Sequence, residues 1–303
     1  MISAQNCLIH GKQIPADLLG ELRETDYRQN SGSQLRERLQ QDGYLFLRGL
    51  LNSSDVQAAR EEIFGRLAEV GEIKLPVDEG ISTGTSRRNE LIEDLGQFWQ
   101  SVSEGPALRR VSHGLQTSAL MGAIFDEAAQ PHDYIFLRTG VVGRATSFHY
   151  DHPFFARGSK KIHTVWTALR EIPVCDGPLV IVEGSHRFTD LIEQTLKIDC
   201  GSDDAPVVSI SGGIELAQQR QTRLLTADFQ AGDVVVFGMT LLHGSLDNHS
   251  SRGHTRLSCD VRWQPEADPV DPRYAGPNPT GTTGAGYREL NGAKPLSEPW
   301  HVR

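Results

Sequence analysis

The stretch RATSFHYDHPFF, residues 144–155, sets His149, Asp151 and His152 among aromatic and β-branched neighbours. In an extended strand successive side chains point to opposite faces, so His149 and Asp151 share one face, roughly 7 Å apart along the backbone. An imidazole and a carboxylate side by side are two teeth of a metal chelate. The third ligand comes from VVVFGMTLLHGSLDN, where His243 ends the strongest apolar run downstream. Two imidazoles and one carboxylate on one side of a metal leave three open positions. Non-haem Fe(II) oxygenases use that arrangement to hold a co-substrate and dioxygen together. The plainer alternative is a hydrogen-bonded His149–Asp151 pair in a β-sandwich.

A second polar pattern follows in TRLSCDVRW, where Arg256, Ser258, Asp260 and Arg262 share one strand face. A guanidinium 13 residues after His243 can return on a neighbouring strand and grip a dicarboxylate with two parallel hydrogen bonds. Ser245, on the same face as His243, can add a hydroxyl. This reads as a 2-oxoglutarate anchor, with Arg252 in the turn-like NHSSRGH as a rival to Arg256. Arg262 has the right phase, but it lies about 20 Å of strand beyond Arg256, which places it too far from a metal beside His243. Arg138 in IFLRTG suits either a ligand contact or a structural salt bridge. His152, His163, His186 and His254 read as structural or surface histidines.

Residues 1–132 read as largely helical with one strand, YLFLRGLL. SQLRERLQQDG pairs Leu35 with Leu39 and stops at Gly43. SSDVQAAREEIFGRLAEVGEI opens with Ser54 and Gln57 in capping-box spacing and repeats Val56, Ala59, Ile63, Leu67 and Val70 on one helical face. From residue 133 the period becomes strand-like. YIFLRTGVVG, ATSFHYDHPFF, KKIHTVWTAL, GPLVIVEGSH, GDVVVFGMTLLHGS and TRLSCDVRWQP are short, rich in Val, Ile, Thr and aromatics, and separated by turn residues. Residues 133–265 therefore form a sandwich or barrel core, interrupted by an inserted surface loop at 199–222. Residues 266–303 are a Pro/Gly-rich arm that wraps the surface or reaches another subunit of a homo-oligomer.

The 303 residues, 38% of them hydrophobic, suffice for one large or two modest domains. The net charge of -9, with Lys and Arg scattered, argues against nucleic acid and anionic membrane as partners. The four cysteines lack any zinc-type spacing and read as reduced thiols. With no signal-like N-terminus and no apolar run of about 20 residues, a cytoplasmic setting is expected.

From Asp42 to Gln264 the chain resembles the phytanoyl-CoA dioxygenase family of Fe(II)/2-oxoglutarate oxygenases. The likeness rests on DGYLFLRGLL, HYDHPFF, VWTAL, GPLVIVEGSHR, LLHGS and RLSCDVRW. It implies one oxygenase domain, mainly β with flanking helices: a double-stranded β-helix, or cupin-like jelly roll, covered by the N-terminal helices. It further implies that His149, Asp151 and His243 bind Fe(II), that Arg256 and Ser245 hold the distal carboxylate of 2-oxoglutarate, and that Trp166 walls the same pocket. O2 is then the second co-substrate, and succinate and CO2 leave as a small substrate is hydroxylated. Some members carry the arginine about 11 residues after the last histidine, where this chain has His254. A second function class is a cupin-like metal protein that does not turn over 2-oxoglutarate. Substrate identity is not legible, but the acidic chain lacks the basic cluster expected for coenzyme A and points to a small polar metabolite.

Overall fold

The computed structural model describes residue 2 and residues 6–298, apart from 203, 207, 211 and 290. Its strands in chain order are β1 (Leu8–Ile9), β2 (Lys12–Gln13), β3 (Leu19–Glu21), β4 (Tyr44–Leu47), β5 (Ala129–Pro131), β6 (Phe136–Gly140), β7 (His163–Ala168), β8 (Leu179–Val182), β9 (Leu224–Thr226), β10 (Val234–Gly238), β11 (His243–Ser245) and β12 (Arg256–Pro265). The helices are α1 (Gly32–Asp42), α2 (Ser53–Glu69), α3 (Arg88–Leu91), α4 (Leu95–Ser103), α5 (Pro106–Ser112), α6 (Leu115–Phe125), α7 (Thr189–Thr195) and α8 (Gly213–Arg220).

The large sheet runs β4-β10-β7-β12-β5, with β6 also paired to β12, and the small sheet runs β11-β8-β9-β3. Period-two alternation sorts their side chains into three layers. Leu45, Leu47, Val165, Val234, Val236, Leu257, Cys259, Val261 and Trp263 face the helices and pack with Val56, Ala59, Ile63, Leu67 and Val70. Their partners in alternation, among them Phe46, Trp166, Val235 and Phe237, meet Leu179 and Ile181 of the small sheet between the two sheets. Val180, Val182 and Leu224 turn outward against Phe148, Ile214 and the N-terminal Ile9 and Ile14. The site lies in the middle layer.

Local sequence explains several ends. Gly43 stops α1 with φ 83°, a left-handed conformation that costs a residue without Cβ little. The S-x-x-Q spacing occurs twice, and it caps only α1, where Ser31 and Gln34 exchange both bonds. At α2 the expected Ser54 box does not form. Asn52 lies two residues earlier and its Oδ1 takes the amides of Ser54 and Asp55 at 2.8 and 3.4 Å, so the helix begins sooner.

Other expectations need correction. The N-terminal region supplies β3 to the small sheet and β4 to the large one, so it carries more than one strand. The segment 199–222 includes α8, which buries Ile214 and Ala217 and so is more than a loop; its residues 203, 207 and 211 lie outside the described residues. The arm from 266 packs on its own chain. Tyr287 stacks on Tyr134 with centroids 4.4 Å apart. Its hydroxyl donates to Glu104 Oε1 and accepts from the Ile135 amide. A fully buried ion pair, Arg88 to Glu72 at 2.6 Å, anchors the end of this arm through the Leu296 amide, which donates to Glu72 Oε1. Residues 299–303 of the arm lie outside the described residues. No cysteine is in a disulfide. No helix among the described residues is long and apolar enough to cross a membrane.

Candidate metal centre

His149, Asp151 and His243 come together, but not by strand alternation. The segment expected as a strand contributes only two isolated bridges, Phe148 to Ile210 and His149 to His243, and in the second His149 and His243 exchange both backbone hydrogen bonds at 2.9 and 3.1 Å. Directly opposed residues bring their side chains close, and the two rings lie with centroids 4.4 Å apart. Asp151 then leaves the extended conformation (φ -74°, ψ -25°) and opens the 3-10 turn His152–Phe154. That turn folds its carboxylate back under the imidazoles. Asp151 Oδ1 lies 3.5 Å from His149 Nε2 and 3.9 Å from His243 Nε2.

Each group is oriented from behind. His149 Nδ1 donates to Ser147 O at 2.9 Å, and His243 Nδ1 donates to Leu241 O at 3.0 Å. A carbonyl can only accept, so the proton sits on Nδ1 and the Nε2 lone pair is left for a metal. Asp151 is split in the same way. Its Oδ2 accepts from Thr164 Oγ1 at 2.6 Å and from Arg262 Nη2 at 2.8 Å, leaving Oδ1 toward the imidazoles. Burial alone would raise the Asp151 carboxyl. The adjacent Arg262, with His243 and His149 behind it, instead holds it well below the usual carboxylate range. Burial and the neighbouring His149 push His243 down to about 4, so it is neutral at pH 7. Two imidazole nitrogens and one carboxylate oxygen, all within 4.8 Å of one another, form a set suited to hold iron.

The family model for phytanoyl-CoA dioxygenases matches residues 39–257. The chain belongs to the phytanoyl-CoA dioxygenase family. No curated protein matches it. Among solved structures, EctD from S. alaskensis in its apoform is similar at 16% identity, covering 89% of this chain and 94% of that one with a TM-score of 0.53. AviO1 from Streptomyces viridochromogenes Tue57 is 20% identical over 79% of this chain and 97% of its own, TM-score 0.50. The non-heme alpha ketoglutarate dependent carbocyclase SnoK from nogalamycin biosynthesis is 17% identical over 82% and 88%, TM-score 0.50. These likenesses establish a shared fold.

In this phytanoyl-CoA dioxygenase family member, β12 carries its polar face into the middle layer beside the triad. Arg256 is its first residue, buried, with Nη1 donating to Gly177 O at 3.0 Å. Arg252 is exposed in the preceding turn. Ser245 is also buried and faces the same layer from the small sheet, but its Oγ accepts from the Thr146 amide at 2.7 Å. Among the described residues it shares no hydrogen bond with Arg256. Trp166 is in register with Asp260 and packs on Phe229 at 4.7 Å, so it walls the interior beside Asp260.

Arg262 overturns the sequence reading. Distance along the strand from Arg256 said little about the metal, because the centre sits beside the far end of β12. There Arg262 is clamped between Phe136 and Phe155, 4.5 Å from each ring centroid, and bonds Asp151 directly. Thr164 was missed altogether, since nothing in the sequence distinguishes a threonine paired across the sheet with Arg262 from any strand threonine. Among the described residues no other histidine joins the cluster. His254 Nδ1 meets Asp176 Oδ2 at 3.1 Å, and His163 Nδ1 donates to Lys161 O. The His152 amide ties the turn to Met239 O.

Proposed function

We propose that this protein is a single-domain Fe(II)/2-oxoglutarate-dependent dioxygenase that hydroxylates a C–H bond of a small polar metabolite, releasing succinate and CO2. The two facing sheets are then read as a double-stranded β-helix. One observation carries the reading: two imidazole Nε2 atoms and one carboxylate oxygen converge within 4.8 Å of one another, each group held from behind. A cation suits that point, and His149, Asp151 and His243 are the residues that would hold it.

The layer beside the triad fits the co-substrate. Arg256 Nε, Ser258 Oγ and Asp260 Oδ1 are buried without a hydrogen-bond partner, a cost a native interior carries where a ligand will satisfy it. Arg256 offers its guanidinium to the distal carboxylate, and Ser245 still has its hydroxyl proton to donate because its oxygen is the acceptor toward Thr146. Trp166 excludes water from the inner wall. Iron with 2-oxoglutarate and O2 would supply the oxidising power for C–H cleavage. Asp151 fills the position that halogenating relatives leave to chloride, which supports oxygen transfer over halogen transfer. The His149 side chain is 14% exposed, against 1% for Asp151, so a substrate approaches from the His149 side.

The test is succinate release from 2-oxoglutarate under a metabolite library, with product mass reporting one added oxygen atom. A product with no added oxygen would replace hydroxylation by a ring closure or epimerisation. Anaerobic Fe(II) titration checks the triad: His243→Ala should bind iron far more weakly, and Asp151→Gly should lose hydroxylation. Unchanged iron affinity in His243→Ala would remove His243 from the site, and iron binding without succinate release would leave the cupin-like metal-protein reading.

A further inference from the structure

We infer that the substrate carries an oxyanion, a carboxylate or phosphoryl group, and that Arg138 is the residue that receives it; this rests on the oxygenase reading above. Arg138 lies on β6 opposite Ser258 and faces the same interior as Arg256. Its Nε donates to Asp260 Oδ2 at 3.1 Å. Asp260 Oδ2 lies 3.8 Å from Arg262 Nη1, and Arg262 Nη2 bonds Asp151. Arg138 is thus the outer end of a chain of alternating charges whose inner end is a metal ligand.

The charges on this inward face do not cancel. Among the described residues Arg138, Arg256 and Arg262 stand against Asp151 and Asp260 alone, so one cation is left over. Loading the site changes nothing, because Fe(II) and the 2-oxoglutarate dianion neutralise one another. Arg256 would hold the distal carboxylate of 2-oxoglutarate and the metal centre would take the proximal one, so neither would compensate Arg138. Uncompensated buried charge is costly, so a third anion belongs here.

Exposure says which arginine meets it. Arg256 and Arg262 are 5% and 2% exposed, whereas the Arg138 side chain is 21% exposed. Arg138 donates only Nε to Asp260 and lies over the Phe136 ring at 5.5 Å, while its Nη1 and Nη2 make no hydrogen bond among the described residues. Two parallel N–H groups at one edge are the fork that binds an oxyanion with two hydrogen bonds. The anion therefore arrives from solvent on the substrate.

The experiment screens matched sets of small acids, phosphonates, their methyl esters and amines for stimulated succinate release. Oxyanions should stimulate, and esterifying the best of them should raise its apparent constant about tenfold or more. Anaerobic calorimetry then measures that acid binding to protein loaded with Mn(II) and 2-oxoglutarate, where nothing turns over. Arg138→Gln should weaken it about tenfold or more, and Arg138→Lys, which keeps charge without the fork, by less. Stimulation by neutral or cationic compounds with indifference to esterification would overturn the proposal. So would a tenfold loss of 2-oxoglutarate affinity in Arg138→Gln, which would assign the residue to the co-substrate. Failure of the wild-type Mn(II) protein to bind 2-oxoglutarate would refute the oxygenase reading itself, and this inference with it.

Discussion

Arg256→Gln should separate function from stability. In the metal-free protein Arg256 is a buried cation, and burial, followed by the like charge of Arg138, pulls it down to about 10. That depression corresponds to about 3 kcal/mol of cost for holding the charge inside. Removing it also removes the bond to Gly177 O, which leaves a buried acceptor and costs about 1–2 kcal/mol. The ligand-free variant should therefore be about 1–2 kcal/mol more stable than wild type by urea denaturation in a chelating buffer. Co-substrate reverses the order. A charge-assisted bond is worth about 1.5–3 kcal/mol, so 2-oxoglutarate affinity should fall at least about tenfold. Wild type held at a hundredfold excess over its dissociation constant gains nearly 3 kcal/mol, and the variant correspondingly less. Equilibrium dialysis with Mn(II) reads the affinity, and iron binding should stay nearly the same. The reasoning is refuted if Arg256→Gln binds 2-oxoglutarate as wild type does while the exposed Arg252→Gln does not.

Thr164→Val removes one of the two donors on Asp151 Oδ2 and should weaken metal binding about tenfold to a hundredfold, measured by competition with a metal indicator; wild-type affinity would show that Arg262 alone fixes the carboxylate. Glu72→Gln breaks the buried pair with Arg88, and an unpaired buried guanidinium should cost about 3–5 kcal/mol. Limited proteolysis should then cut between residues 290 and 298 first, and resistance equal to wild type would mean that the arm is held by Tyr287 and its neighbours. His113 is pushed down to about 4 by burial and by Arg109. The unfolded chain binds a proton that the folded one refuses between pH 6.5 and about 4, so stability should decline as pH falls through that window, by up to about 3 kcal/mol. His113→Gln should flatten that decline in denaturant titrations, and an unaltered slope would assign it elsewhere.

The sequence by itself determined the parts whose physics is local. Gly43 had to end α1, because a left-handed cap selects glycine. The apolar face of α2 had to be buried, and its five periodic residues are. The alternation of β12 fixed which residues share a side, so Arg256, Ser258, Asp260 and Arg262 were legible as a set. His149, Asp151 and His243 were legible as ligand types, although the geometry given for them was wrong.

Tertiary structure decided what those sets face. A strand that alternates polar with apolar normally shows its polar side to water, yet here the second sheet covers it and every residue of β12 is buried. Only that cover turns a hydrophilic stripe into a lined interior. The triad depends on it as well. His149 and His243, 94 positions apart, meet through one backbone bridge between segments that have no local reason to pair, and the turn at Asp151 completes the set where an extended chain would have left the carboxylate on the same face but about 7 Å farther along. Arg262 shows the limit most clearly. Its separation from Arg256 was countable in the sequence, but which end of β12 lies beside the metal depends on how the chain returns from β11, and loop closure over ten residues leaves no periodic trace.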